Sequence, residues 1–108
     1  MQVASIHFTY FSTEPDFDKV TLYDGYSMFY STLAVLSGTL NNSISYYGTQ
    51  QYMYIHFSTD GTTVAKGFEA TLQSLGEIIL AFCVKFDIRL IVPRSVYNMH
   101  FDSICKVI

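Results

Sequence analysis

Gln51-Tyr52-Met53-Tyr54-Ile55-His56-Phe57 decides the fold class. Met53, Ile55 and Phe57 fall on one side of an extended chain, and Tyr52, Tyr54 and His56 fall on the other. Aromatic and branched side chains of this kind suit a pleated, half-buried surface. The same reading extends outward. On the C-terminal side Phe68, Ala70 and Leu72 oppose Glu69, Thr71 and Gln73. On the N-terminal side Val20 and Leu22 alternate with Thr21 and Tyr23 before an Asp24-Gly25 turn. Further back, Ile6, Phe8 and Tyr10 alternate with His7, Thr9 and Phe11, and Leu33 to Leu36 is a short apolar run closed by Ser37-Gly38. Turn signals separate these segments: Thr13 to Asp18 with Pro15, Asn41-Asn42-Ser43, and Thr59 to Thr63 with Asp60-Gly61. Short strands at this spacing predict an all-β, antiparallel sandwich. Its predicted core is Phe8, Val20, Leu22, Met53, Ile55, Phe57, Phe68, Ala70 and Leu72, because the alternating faces fix the register.

The 108 residues suffice for one domain and not for two. Half are apolar and 14% are charged, which excludes a disordered tail. The formal net charge of −3 argues against nucleic acid, which selects a basic stripe. Residues 1–74 are acidic and rich in Ser, Thr, Tyr and Gly; residues 75–108 are slightly basic and rich in Ile, Val and Leu. The composition therefore shifts near Leu75-Gly76, leaving an apolar tail, 75–108, without an assignment. Within it, Ile78 to Val84 reads equally as a buried strand or a buried helical turn. Phe86, Ile88, Leu90 and Val92 alternate with Asp87, Arg89 and Ile91 before Pro93 stops the pattern. The run 78–84 must be covered by something, with 86–92 expected beside it, or it is an aggregation hazard. No apolar run approaches the roughly 20 residues of a membrane helix. Met1 to Phe8 carries no signal-peptide pattern. Cys83 and Cys105 form no CxxC or zinc-type spacing.

Asp18-Lys-Val-Thr-Leu-Tyr-Asp-Gly25 resembles the "DxVxIYDG" strand and turn of CUB domains. Leu33-Ala-Val-Leu-Ser-Gly38 resembles the segment that follows it. Gln50 to Asp60, then Lys66-Gly-Phe-Glu-Ala70, resembles the close of the same module. The order and spacing of these pieces cover residues 4–74. The resemblance implies a CUB-like jelly-roll of two antiparallel sheets, lacking the family's first strands and both of its cysteine pairs. Ser37-Gly38 stands where the family often has Cys-Gly. It also implies an extracellular or secreted protein that binds proteins or glycans, without catalysis of its own.

The same resemblance implies a calcium site. Glu14, Asp18 and Asp60 stand at the positions that hold the ion in the calcium-binding members. Calcium takes six to eight oxygens, several from carboxylates. Glu14 and Asp18 flank one turn, and Asp60 opens the turn after a strand. Supporting oxygens are expected from Gly61, Thr62 and Thr63. The Glu14–Asp18 loop is shorter than is usual in those members. In them the acidic loops receive a basic partner side chain. A lysine suits a ring of oxygens, since its ammonium is a compact point charge. Asp16 and Asp24 read as turn formers.

Two further sites are expected. Asn41-Asn42-Ser43 is an N-glycosylation sequon in a polar turn, at Asn41. Tyr52 and Tyr54 are candidates for a partner-binding surface, because tyrosine is enriched in interface hot spots. No nucleophile elbow frames the Ser, His and Asp residues, so no enzyme is expected. The leading expectation is an extracellular interaction module, calcium-dependent or not. The alternatives are a structural spacer and a non-functional fragment of a larger secreted or surface protein.

Overall fold

The computed structural model describes residues 3–58, 67–83, 88–92 and 105–107. These form ten strands, and no helix is among them. They are β1 (Ser5–Ser12), β2 (Lys19–Tyr23), β3 (Thr32–Leu36), β4 (Thr39–Leu40) and β5 (Ile44–Tyr47), then β6 (Met53–Ser58), β7 (Gly67–Ser74), β8 (Glu77–Cys83), β9 (Ile88–Val92) and β10 (Cys105–Val107). Every pairing is antiparallel. One sheet runs β10-β8-β7-β1-β4, with β5 also on β1; the other runs β3-β2-β6-β9. Among the described residues no helix is long and apolar enough to cross a membrane.

The deciding alternation holds in three dimensions. Met53, Ile55 and Phe57 are buried, while Tyr52, Tyr54 and His56 lie half-buried on the outer face. Val20 and Leu22 pair with Phe57 and Ile55 on β6, so their side chains share that inner face. All nine predicted core residues are buried. The two sheets meet through phenylalanines. Phe57 of the four-stranded sheet packs edge-on to Phe68 of the six-stranded sheet, with ring centroids 5.1 Å apart. Phe8 and Phe11 complete the cluster around Phe68.

Strand β1 departs from the expected alternation. Phe8 faces Ala70 and Tyr10 faces Glu69, so Thr9 is an extra residue without a partner of its own in the ladder. A bulge of this kind advances the side-chain phase by one. Ile6, Phe8 and Phe11 therefore all point inward, and Tyr10 points out, the reverse of the regular pattern for 10 and 11. The Thr9 hydroxyl fastens the bulge to Glu69 Oε1 at 2.8 Å. The sequence reading also passed over β4 and β5, which are short and lie against β1.

Leu75 and Gly76, where the composition shifts, are the two-residue turn between β7 and β8. Both have positive φ, 51° and 76°, as a tight hairpin of matching twist requires. The run beginning at Ile78 is a strand and not a helical turn as far as Cys83, and β8 pairs with β7 from Phe68 to Ser74. Its expected neighbour lies elsewhere. Ile88–Val92 pairs with β6 in the opposite sheet, and β10 is the strand beside β8. Residues 84–87, which join the two, lie outside the described set.

Candidate functional site

The strands run between two ends of the sandwich, and the chemistry separates with them. Strand β1 ends, and β2 begins, at an acidic turn. Thr13 ties this turn to the one between β3 and β4. Its N–H donates to Gly38 O at 2.9 Å, and its hydroxyl oxygen accepts from Gly38 N–H at 3.0 Å. The same hydroxyl donates to Asp18 O at 3.0 Å. Within the turn, Glu14 O accepts from Phe17 N–H at 3.3 Å and from Asp18 N–H at 3.0 Å. Asp16, at the apex, has φ +68°, a left-handed conformation that aspartate tolerates better than most residues.

Ser37 is the second clamp. Its hydroxyl donates to Asp18 O at 3.0 Å, with Glu14 O at 3.4 Å, and accepts from Asp16 N–H at 2.8 Å. The resemblance to CUB domains implied that Ser37 stands where that family often has a cysteine. In the fold its hydroxyl joins the two turns. Neither Thr13 nor Ser37 stood out as a site residue, because their roles depend on turns 20 residues apart in sequence meeting in space.

Burial sharpens the acidic end. Asp18 is only 3% exposed. Glu14 Oε1 is shut from solvent and has no hydrogen-bond partner among the described residues. A buried carboxylate oxygen without a partner is costly, since desolvation is not repaid. A cation is one species that repays it, and oxygen donors of this kind suit calcium or another hard ion. Strand β6 ends on the side of the sandwich where β2 begins. Ser58, two residues before Asp60, lies opposite Lys19, the residue after Asp18. Asp60, Gly61, Thr62 and Thr63 themselves lie outside the described residues. Among the described residues no three His, Cys, Asp or Glu side chains gather as a metal site.

The other expected residues that the structure describes are Asn41, Tyr52 and Tyr54. Asn41 is exposed in the turn between β4 and β5, where a glycan would meet no obstruction from its own side chain's burial. Tyr54 packs against Tyr23 at 5.7 Å between centroids, and Tyr52 meets Tyr26 edge-on at 6.0 Å. Tyr52 belongs to the opposite end of the sandwich from Glu14, because β6 runs from it to Ser58, which lies opposite Lys19. Asp24, read as a turn former, is buried there. Its carboxylate accepts from Thr49 N–H at 2.8 Å and from the Thr49 hydroxyl at 2.5 Å. On the outer face of the larger sheet, His7 Nδ1 and Ser45 Oγ are 2.6 Å apart across the β1–β5 pair. Thr71 flanks His7 on the other side, so no carboxylate opposes the ring in the ladder.

No protein-family model matches this chain, and no curated protein or solved structure is significantly similar to it.

Proposed function

We propose that this chain is a CUB-type extracellular interaction module whose acidic end holds calcium and receives a lysine of a protein partner. The observation that carries the reading is the buried Glu14 Oε1 with no hydrogen-bond partner among the described residues, in the same turn as the buried Asp18. Glu14 and Asp18, in one clamped turn, would supply two carboxylates, and Asp60 would supply the third; oxygen donors of this kind suit calcium. Calcium, when bound, neutralises most of their charge and leaves a site near −1 that still attracts an ammonium group. Thr13 and Ser37 hold the turn's backbone, so the acceptor is formed before the partner arrives. Such pre-organisation lowers the ordering cost of association. A Lys side chain, with three donors on a compact head, suits the remaining oxygens better than a planar guanidinium. The jelly-roll topology and an extracellular setting belong to the same proposal. They rest on the quoted motifs and on the two antiparallel sheets. The exposed sequon at Asn41 is compatible with glycosylation in that setting.

Thermal unfolding with and without calcium tests the reading, with magnesium as the control. A ligand at a hundredfold excess over its Kd stabilises the native state by about 2.7 kcal/mol. Extracellular calcium modules bind at roughly 10⁻⁴–10⁻³ M, so calcium at about 10 mM is enough to reveal a site. A rise in Tm with calcium and little with magnesium is expected. An unchanged Tm at that concentration refutes the metal site.

A further inference from the structure

The end of the sandwich opposite Glu14 carries an apolar tip that the proposed calcium site does not use. The loop from Gly25 to Ser31 reads Gly-Tyr-Ser-Met-Phe-Tyr-Ser, without a charged residue. Its base is fixed. Asp24 N–H donates to Ser31 O at 2.8 Å, and the Asp24 carboxylate holds Thr49. Tyr30 lies flat against Gly25, where an added Cβ would stand 2.2 Å from Tyr30 Cγ, so only glycine admits the ring. Tyr26 packs on Tyr30 at 4.9 Å and against Tyr52 at 6.0 Å, which makes a collar of three tyrosines.

Beyond the collar the chain turns, with Tyr30 N–H donating to Ser27 O at 3.3 Å. Met28 and Phe29 sit at the apex of that turn. Phe29 is 93% exposed, and Met28 is also exposed. A second tip lies at the same end. Ser74 Oγ donates to Gln51 O at 2.5 Å, so the β7–β8 turn sits beside the residue preceding Tyr52. That turn presents Leu75 to solvent at φ 51°, a conformation that Asn or Gly adopts without cost and leucine does not. With 48% of its surface in solvent, Leu75 gains only partial burial to offset that conformation. Retained strain of this kind points to a function.

We propose that this end docks on the surface of a neutral lipid bilayer, with Met28, Phe29 and Leu75 entering the acyl boundary and Tyr26, Tyr30 and Tyr52 at headgroup level. The shape favours lipid over a protein partner. Protein hot spots are centred in packed, desolvated patches rimmed by polar groups. Here the apolar groups project, and a fluid surface accepts a projecting tip without a matching pocket. Tyrosines with an apolar body and a polar hydroxyl are the usual residents of the membrane–water interface. The loops 25–31 and 48–52 contain no charge, the β7–β8 hairpin adds one acid, Glu77, opposite Ser74, and the chain is acidic as a whole, so a zwitterionic surface suits it better than an anionic one. Docking this way leaves the acidic end facing away. The five residues of β2 set the two ends roughly 16 Å apart.

The chain contains no tryptophan, so Phe29→Trp places a single fluorescent reporter at the tip. Phosphatidylcholine vesicles titrated into this variant should shift its emission to the blue with saturation. In co-sedimentation, the wild-type chain should pellet with the same vesicles. Phe29→Ser and Met28→Ser should each lower partitioning by about tenfold or more, because each removes a large buried apolar group. Both side chains are exposed, so circular dichroism should show the variants folded. No blue shift and no co-sedimentation overturn the proposal. Equal partitioning of wild type and Phe29→Ser overturns the assignment of the tip. A blue shift that grows with protein concentration in the absence of vesicles overturns it too, since a second copy then covers the tip. Binding only to anionic vesicles with calcium overturns it by moving the contact to the acidic end.

Discussion

Alanine replacements at Phe11 and Tyr10, made one at a time, separate a bulged β1 from a regular one. In the bulged strand Phe11 is 2% exposed and Tyr10 is 42% exposed. Phe11 stacks on Phe68 at 5.9 Å and meets Phe8 edge-on at 5.4 Å. Removing such a ring costs about 3–5 kcal/mol, the lost transfer free energy plus the cavity left behind. A domain of this size has about 5–15 kcal/mol of stability in all. Phe11→Ala should therefore lower Tm by roughly 12 °C or more, at about 4–8 °C for each kcal/mol. Tyr10→Ala takes a half-solvated ring from the outer face and should cost less than about 1 kcal/mol. Urea unfolding followed by far-UV circular dichroism gives both values. A regular strand with Tyr10 inside predicts the opposite ranking. Equal costs, or a larger cost for Tyr10→Ala, would refute the bulge and the packing built on it.

Asp24→Ala leaves the Thr49 N–H and hydroxyl without their acceptor; hydrogen bonds to a charged group are worth about 1.5–3 kcal/mol each, and a loss of at least that size is expected in the same unfolding assay. Leu75→Asn relieves a left-handed leucine and supplies Asn-Gly, the favoured hairpin pair, so it should raise stability by about 1 kcal/mol; a loss would mean that Leu75 packs on the fold. The neutral Tyr30 hydroxyl donates a hydrogen bond to Tyr26, and this bond, with desolvation and the Tyr26 charge behind it, raises the Tyr30 pKa above 10.0. A raised folded-state pKa means that this contribution to stability is complete below the unfolded value near 10 and is lost as pH climbs through the folded one. Tyr26→Phe should bring Tyr30 ionisation back towards 10.0, which a tyrosinate absorbance titration reads directly.

The strands that sequence revealed are those whose side chains alternate without interruption. In β2, β6 and the second half of β7, apolar and polar residues strictly take turns, and the inner faces are buried as that pattern requires. Strand β1 was placed, but its phase was not. One extra residue at Thr9 reverses Tyr10 and Phe11, and nothing local to Thr9 announces a bulge whose partner, Glu69, lies 60 residues away. Strands β4 and β5 are too short, and too dependent on β1, to carry a period of their own. The apolar run of β8 gives no alternation at all, so only its pairing to β7 tells strand from helix. At the acidic end the sequence marked Glu14 and Asp18, since acids in a turn are visible. It did not mark the burial of Asp18 and of Glu14 Oε1, or the Thr13 and Ser37 clamps, which arise where two turns meet. The apolar tip was missed because Met28 and Phe29 look like core residues until the turn between β2 and β3 carries them outward.

In the proposed function Glu14, Asp18 and Asp60 act together on one calcium ion. Isothermal titration of calcium into the wild-type chain, Asp60→Ala and Asp16→Ala tests it most directly. Asp16 stands at the apex of the acidic turn, exposed and outside the proposed ligand set. The account predicts one calcium site in the wild type, an unchanged site in Asp16→Ala, and no binding heat in Asp60→Ala. Equal calcium affinity in the wild type and Asp60→Ala would contradict it.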